Sequence, residues 1–131
     1  TYGTFVAMKR APMVDIDGDS RAEFSTEIEL LQKLDHPHIV KYIDSVQTGD
    51  FHYIALEYME NGSLLNVRRR FGIFSEPVTV RYMSQVLEGL CYLHDQGVLH
   101  LDVKAGNILI TKSGMVKLAD FGTAMRLRTG P

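Results

Sequence analysis

The 131-residue chain holds one cysteine, Cys91, so it cannot form an internal disulfide. Cys91 lies in an apolar stretch of helical periodicity, where a buried core thiol is expected, and a lone thiol fits a reducing, cytoplasmic compartment. Neither sign of charge dominates, because 14 Lys and Arg against 16 Asp and Glu leave a net charge of -2. The only dense basic run, Arg68 to Arg70, is short and reads as a solvated helix end. Nothing in that pattern speaks for nucleic acid. No apolar run approaches the ~18 residues of a membrane span, and the chain opens on Thr1 without a charged-then-apolar leader, so it reads as neither spanning nor secreted. Internal repeats and low-complexity segments are also missing, and a composition of 45% hydrophobic and 23% charged residues is that of a soluble globular protein.

What is present reads as strands first and helices later. Thr4 to Arg10 is rich in strand formers, with Phe5, Ala7 and Lys9 on one face and Val6 and Met8 on the other, which predicts a strand with an inward lysine. The acidic loop Asp15-Ile16-Asp17-Gly18-Asp19 fails as a calcium loop: its glycine stands fourth rather than sixth, and Thr26 occupies the twelfth place where a glutamate is required. Ser20 and Glu23 have the spacing of a capping box and predict a helix from about Ser20 to Leu34. Ile28, Leu31 and Leu34 form its buried stripe, and Glu27, one turn before Leu31, faces inward with them. After the Asp35-His36-Pro37-His38 break, β-rich runs at Ile39 to Val46 and Phe51 to Tyr58 flank the hairpin-length connection Thr48-Gly49-Asp50. His36 and His38 have no further His or Cys cluster to make a metal site with them.

Met59-Glu60-Asn61-Gly62 has no periodicity and reads as a linker between two units. A short helix is expected over Ser63 to Arg70. A longer one begins at Ser75-Glu76-Pro77, carries Met83, Val86, Leu87, Leu90 and Leu93 as a buried stripe, and stops near Gln96 before Gly97. Ile108 to Ile110 and Met115 to Leu118 straddle Lys112-Ser113-Gly114 as a small hairpin. His100 to Asn107 precedes that hairpin and Asp120-Phe121-Gly122 follows it, which gathers two carboxylates, an ammonium and an amide at one end of a tight unit. Such a group suits phosphate chemistry with magnesium, since Asn and Asp oxygens hold the ion, Lys meets phosphate oxygens and the other Asp orients a hydroxyl.

With these motifs in this order, the chain resembles part of a protein kinase domain. Val6-Ala7-Met8-Lys9 is similar to the lysine strand, Glu27 stands where the next helix supplies its partner, His100-Leu101-Asp102 with Asn107 resembles the catalytic loop, and Asp120-Phe121-Gly122 the metal-binding motif. Asp102-Val103-Lys104 resembles serine/threonine kinases. Lys104-Ala105-Gly106-Asn107-Ile108-Leu109 and Lys117-Leu118-Ala119-Asp120 are similar to kinases of the MAP kinase cascades. The resemblance implies an α+β, kinase-like fold: a partial N-lobe over 1–58, a hinge over 59–62 and a partial C-lobe over 63–131. It implies ATP and magnesium as ligands and a protein bearing a Ser or Thr hydroxyl as substrate. Lys9 would hold the α- and β-phosphates with Glu27 fixing it, Asp102 would orient the substrate hydroxyl, Lys104 would steady the phosphoryl group, and Asn107 and Asp120 would hold magnesium. Ala7 and Leu109 would sandwich adenine, Leu56 would guard the rear pocket, and the backbones of Glu57 and Met59 would bond the base. Leu31, Tyr42, His100 and Phe121 would stack as an internal spine.

Three departures from the family pattern qualify that resemblance. Residue 101 is leucine where most such kinases have the arginine that receives an activation-loop phosphate, a charge-assisted bond that leucine cannot form. The Gly-rich phosphate loop is not seen, Gly3 reading as part of a turn before the lysine strand, and the chain reaches Pro131 shortly after Asp120-Phe121-Gly122. The expectation is therefore a serine/threonine kinase parent of which this piece, alone, is neither active nor stably folded. The alternatives are a pseudokinase scaffold that binds nucleotide without catalysis and a nucleotide-independent interaction module.

Overall fold

The computed structural model describes residues 3–13 and 18–127, the side chains of 18–24 excepted. The chain divides into two compact units, one of Thr1–Asp35 with Lys41–Tyr58, the other of His36–Val40 with Met59–Pro131.

In the first unit, β1 (Val6–Pro12), α1 (Gly18–Lys33), β2 (Tyr42–Thr48) and β3 (Phe51–Glu57) follow in order. The strands make one antiparallel sheet in the order β1-β3-β2. Gly49, at φ 56°, turns the chain between β2 and β3, a left-handed conformation that glycine adopts without a steric penalty. Along β1 the side chains alternate, Ala7, Lys9 and Ala11 half-buried against exposed Val6, Met8 and Arg10, so the lysine sits on the more covered face as its spacing predicts. α1 starts at Gly18, ahead of the expected Ser20, which puts Ser20 inside the helix and not at its cap. The Ser20 and Glu23 side chains and the acidic loop over 15–17 lie outside the described residues. Ile28, Leu30 and Leu31 are buried on α1, as is Leu34 just after it, and Glu27 on the same helix is buried too.

The strand expected from Ile39 begins instead at Tyr42. Ile39 and Val40 join the second unit, Ile39 in an isolated parallel bridge to Leu118 and Val40 through its N–H to the Leu118 carbonyl at 3.0 Å. Both are buried apolar residues, so they satisfy a strand pattern equally well as a core plug.

The second unit holds α2 (Leu64–Phe71), α3 (Glu76–Asp95), β4 (Val98–Leu99), a 3-10 turn over Ala105–Asn107, β5 (Ile108–Ile110), β6 (Val116–Leu118) and β7 (Met125–Arg126). Ser63 caps α2, its Oγ accepting the Asn66 N–H at 3.2 Å. Ser75 occupies the predicted N-cap of α3 but makes no side-chain cap bond. Gly97, at φ 71°, ends α3 with its N–H on the His94 carbonyl at 2.9 Å. β5 and β6 form the expected hairpin. β4 and β7 pair as well, and two residues each is too short to show any period in the sequence.

The buried face of α3 differs from the expected stripe. Val86, Gly89 and Leu93 are buried, Leu90 is half-buried, and Met83 and Leu87 are exposed. Cys91, expected in the core, is exposed. At 3.6 residues per turn, Leu87 stands about 100° around the helix from Val86 and Cys91 about 200° from Leu93. The seam centres on a glycine because the backbone of His38 lies against it. A Cβ at Gly89 would stand 3.0 Å from the His38 carbonyl oxygen and 3.3 Å from Leu118 Cδ1. That carbonyl cannot retreat, since it accepts the Leu118 N–H at 2.8 Å. Gly89→Ala should therefore destabilise the full-length protein by about 1–3 kcal/mol, although alanine favours an isolated helix by ~1 kcal/mol. A urea unfolding midpoint equal to or above that of the wild type would contradict this close approach.

His38 and His36 serve the same packing. His38 Nδ1 donates to the Val116 carbonyl at 2.8 Å and its Nε2 lies 3.4 Å from Glu88, while His36 stacks on Tyr92 with centroids 4.9 Å apart. Among the described residues no group of three or more His, Cys, Asp or Glu could hold a metal ion.

Candidate active site

In the first unit, β1 and α1 bring Lys9 and Glu27 together. Lys9 Nζ donates to Glu27 Oε1 at 2.8 Å and to Oε2 at 3.0 Å. The pair is asymmetric, the lysine side chain being 41% exposed and the glutamate 7%. Ala7 is half-buried two residues before Lys9 and lies opposite Leu56 in the β1–β3 register. Glu57 donates its N–H to the Lys41 carbonyl at 2.8 Å and accepts the Lys41 N–H on its carboxylate at 3.2 Å, which pins the end of β3. Leu31 is buried and Tyr42 half-buried, with the Tyr42 hydroxyl accepting from Gln32 at 3.2 Å and donating to Ser45 at 3.0 Å.

The second unit builds a polar cluster around one histidine and one asparagine. His100 is buried; its Nε2 donates to the Ala119 carbonyl at 2.8 Å, so the Nδ1 that accepts the Asp102 N–H at 3.2 Å is the unprotonated nitrogen. A packed imidazole thus ties residues 100–102 to the segment that leads from β6 to Asp120. The ring of Phe121 meets it edge-on with centroids 5.0 Å apart, and Phe121 is itself buried. His100 is thus a packed residue held by backbone groups.

Asn107 completes the cluster. Its Nδ2 donates both to the Asp102 carbonyl and to Asp102 Oδ2, each at 2.9 Å, and its own carbonyl accepts the Ala119 N–H at 2.9 Å. Both of these bonds use Nδ2, and among the described residues Oδ1 of Asn107 has no hydrogen-bond partner. Lys104 Nζ lies 3.5 Å from Asp102 Oδ2 on an exposed side chain, a pair of the kind that contributes only ~0–1 kcal/mol. Asp120 is exposed, and its Oδ1 accepts the Gly122 N–H at 3.3 Å, which leaves Oδ2 unpartnered among the described residues. Two non-glycine residues here adopt a left-handed backbone, Leu101 at φ 67° and Asp120 at φ 60°. Asp tolerates that region; leucine does so at a cost of about 1–2 kcal/mol, which the surrounding bonds must hold. Leu101 is 59% exposed, so its side chain contributes little packing in return.

Met59 is buried, with its carbonyl accepting the Gly62 N–H at 3.2 Å, and Leu109 is half-buried on β5 opposite Lys117. The residue that the sequence did not single out is Ala119. Its carbonyl and N–H link His100 to Asn107, and no residue type signals what its backbone will bond.

Residues 1–131 match the protein kinase domain family over their whole length. The chain belongs to that family. Among curated proteins, cytokinesis protein sepH of Aspergillus niger is 52% identical to this chain over 124 residues. MAP3K epsilon protein kinase 2 of Arabidopsis thaliana is 50% identical over 127 residues, and cell division control protein 7 of Schizosaccharomyces pombe 48% identical over 125 residues. Each alignment takes in 95% of this chain, but the chain spans only 9% to 12% of these relatives' own length. No helix among the described residues of this kinase domain is long and apolar enough to cross a membrane.

Proposed function

We propose that the protein is a cytoplasmic serine/threonine protein kinase that transfers the γ-phosphoryl group of ATP to a protein hydroxyl. The observation that carries this reading is the Asn107 side chain, which spends both amide hydrogens on Asp102 and leaves its oxygen free. That division of labour holds one carboxylate for a substrate hydroxyl and frees one hard oxygen for a cation. In this reading the sheet-bearing residues 1–58 form the small lobe, 59–62 the hinge and 63–131 the large lobe, with 36–40 packing among the latter.

The donor set fits magnesium. Asn107 Oδ1 and Asp120 Oδ2 are hard oxygens without hydrogen-bond partners among the described residues, and a magnesium ion usually takes one or two protein oxygens, completing its shell with water and phosphate. Magnesium bound there would neutralise charge on the ATP phosphates. Asp102 accepts or orients the substrate hydroxyl proton, and Lys104, beside it, steadies the phosphoryl group in flight. Lys9, held by Glu27, grips the α- and β-phosphates. Ala7 and Leu109 provide apolar contact for adenine, and the backbones of Glu57 and Met59 its hydrogen bonds. Catalysis by such a set is positioning and electrostatics, because phosphoryl transfer demands little covalent chemistry of the protein.

The test is full-length protein incubated with magnesium and γ-labelled ATP over peptides bearing Ser, Thr or Tyr. Label on Ser and Thr peptides is expected; Mg-ATP binding without transfer would favour the scaffold reading, which Leu101 supports. Because Leu101 cannot pair with an activation-loop phosphate, phosphatase treatment should change the rate by less than about twofold. A large drop that persists in Leu101→Ala would show another cation in that role.

A further inference from the structure

The second unit holds a groove of about 880 Å³ that includes none of Asp102, Lys104, Asn107 and Asp120 in its lining. Val67, Arg69, Arg70 and Phe71 from the last turn of α2 line it together with Tyr82 of α3 and Ile110 of β5. Its walls are tied down. Asn61 Nδ2 donates to the Thr111 carbonyl at 3.0 Å and the Ile110 N–H to the Gly62 carbonyl at 2.8 Å, which fastens the 59–62 connector to β5. Phe74 braces Tyr82 edge-on with centroids 5.6 Å apart.

The groove combines apolar lining with cations that lack carboxylate partners. Among the described residues, no acidic side chain pairs with Arg68, Arg69 or Arg70. Arg70 lies over the Phe71 ring, its Cζ 5.3 Å from the centroid, a cation–π contact that leaves its N–H donors available. Glu60 is the one acidic lining residue, so the two arginines leave the lining net positive. Phe71 and Ile73 are 73% and 83% exposed. A basic last turn stabilises a helix through its dipole, which accounts for arginines at this position. It does not account for a groove that also holds Val67, Tyr82 and Ile110, nor for an exposed phenylalanine beside them.

We infer that this groove docks an acidic segment of a partner protein, seating an apolar side chain among Val67, Phe71 and Tyr82 and placing carboxylates at Arg69 and Arg70. Concavity favours a peptide over a membrane, because a bilayer surface engages protruding apolar side chains and cannot fill a pocket. Arginine is suited to the task by its planar fork of donors, which meets a carboxylate with two parallel bonds. The inference is independent of catalysis and goes beyond the kinase reading by naming the chemistry of a partner.

Fluorescence anisotropy of full-length protein, without ATP, tests it. The probe is a fluorescein-labelled synthetic peptide alternating glutamate and leucine. The expected result is saturable binding that weakens as salt rises, that falls about tenfold or more in Arg69→Glu/Arg70→Glu, and that falls comparably in Phe71→Ser. Peptides with lysine for glutamate, or serine for leucine, should bind at least about tenfold more weakly to the wild type. The three substituted positions are exposed, so an unchanged thermal midpoint is expected; should the double variant unfold, Phe71→Ser and the peptide series decide. Equal binding by wild type and folded variants, equal binding of the lysine peptide, or arginine-dependent binding to phosphatidylserine vesicles without binding of the glutamate–leucine peptide would each overturn it.

Discussion

Replacing Asp102 with asparagine in the full-length protein should lower phosphoryl transfer by about 10²- to 10⁴-fold while leaving Mg-ATP affinity near the wild-type value. Asparagine is almost the same size and can present its side-chain oxygen to Asn107 Nδ2, so the 2.9 Å bond and the loop it supports survive. The bond from Asn107 to the Asp102 carbonyl does not depend on the side chain at all. What disappears is the negative charge and basicity directed at an incoming hydroxyl, an interaction realised mainly in the transition state and therefore read in kcat. The measurement is single-turnover transfer beside equilibrium binding of a fluorescent ATP analogue. Undiminished transfer in a preparation free of contaminating kinase would remove Asp102 from the mechanism. Lost nucleotide affinity would instead place it among the ligand-holding groups.

The second large effect is expected at Lys9, and its size should differ from that at its partner. Lys9→Met leaves the Glu27 carboxylate buried without its cation, whereas Glu27→Gln leaves a lysine that is 41% exposed and can be solvated where it stands. Breaking a fully buried pair costs on the order of 3–5 kcal/mol; the exposure of Lys9 reduces this to about 1–3 kcal/mol for Lys9→Met and to under about 1 kcal/mol for Glu27→Gln. Urea unfolding of the two variants and of the double variant gives the coupling directly. Transfer should fall in both, because the pair holds the ammonium where the phosphates are proposed to lie. Equal destabilisation by the two substitutions would show that burial of the carboxylate does not govern the pair. Stability unchanged in both would reduce it to a surface contact.

Much of the local structure was legible because local backbone chemistry decides it. Ser63 and Ser75 mark helix starts, Gly97 a helix stop, and the strand-forming runs around Lys112-Ser113-Gly114 a hairpin, all within a few residues of the features that signal them. The order of the motifs, with Lys9, Glu27, Asp102, Asn107 and Asp120 in sequence, is by itself enough to resemble the kinase family. The inward placement of Lys9 and Glu27 followed from two simple periods, alternation in a strand and 3.6 residues per turn in a helix.

Tertiary structure decided what those periods cannot contain, namely which partner an apolar face meets. Val86 and Leu87 are equally apolar, yet one is buried and the other exposed, because the His38 backbone approaches α3 at Gly89 and draws the seam to that side. Ile39 and Val40 carry a strand pattern but pack on Leu118, some eighty positions away, where burial satisfies them as well as sheet pairing would. The helix at Gly18 starts ahead of its sequence signal, and β4 with β7 gave no signal at all, since two-residue strands form only when a distant segment supplies the other half of the ladder. The polar cluster shows the same division most sharply. Residue types marked Asp102, Asn107 and Asp120 as chemically able, but their arrangement rests on the backbone of Ala119, whose carbonyl and N–H join His100 to Asn107. Every residue except proline carries that same pair of backbone groups, so only the folded chain could say which ones would be used.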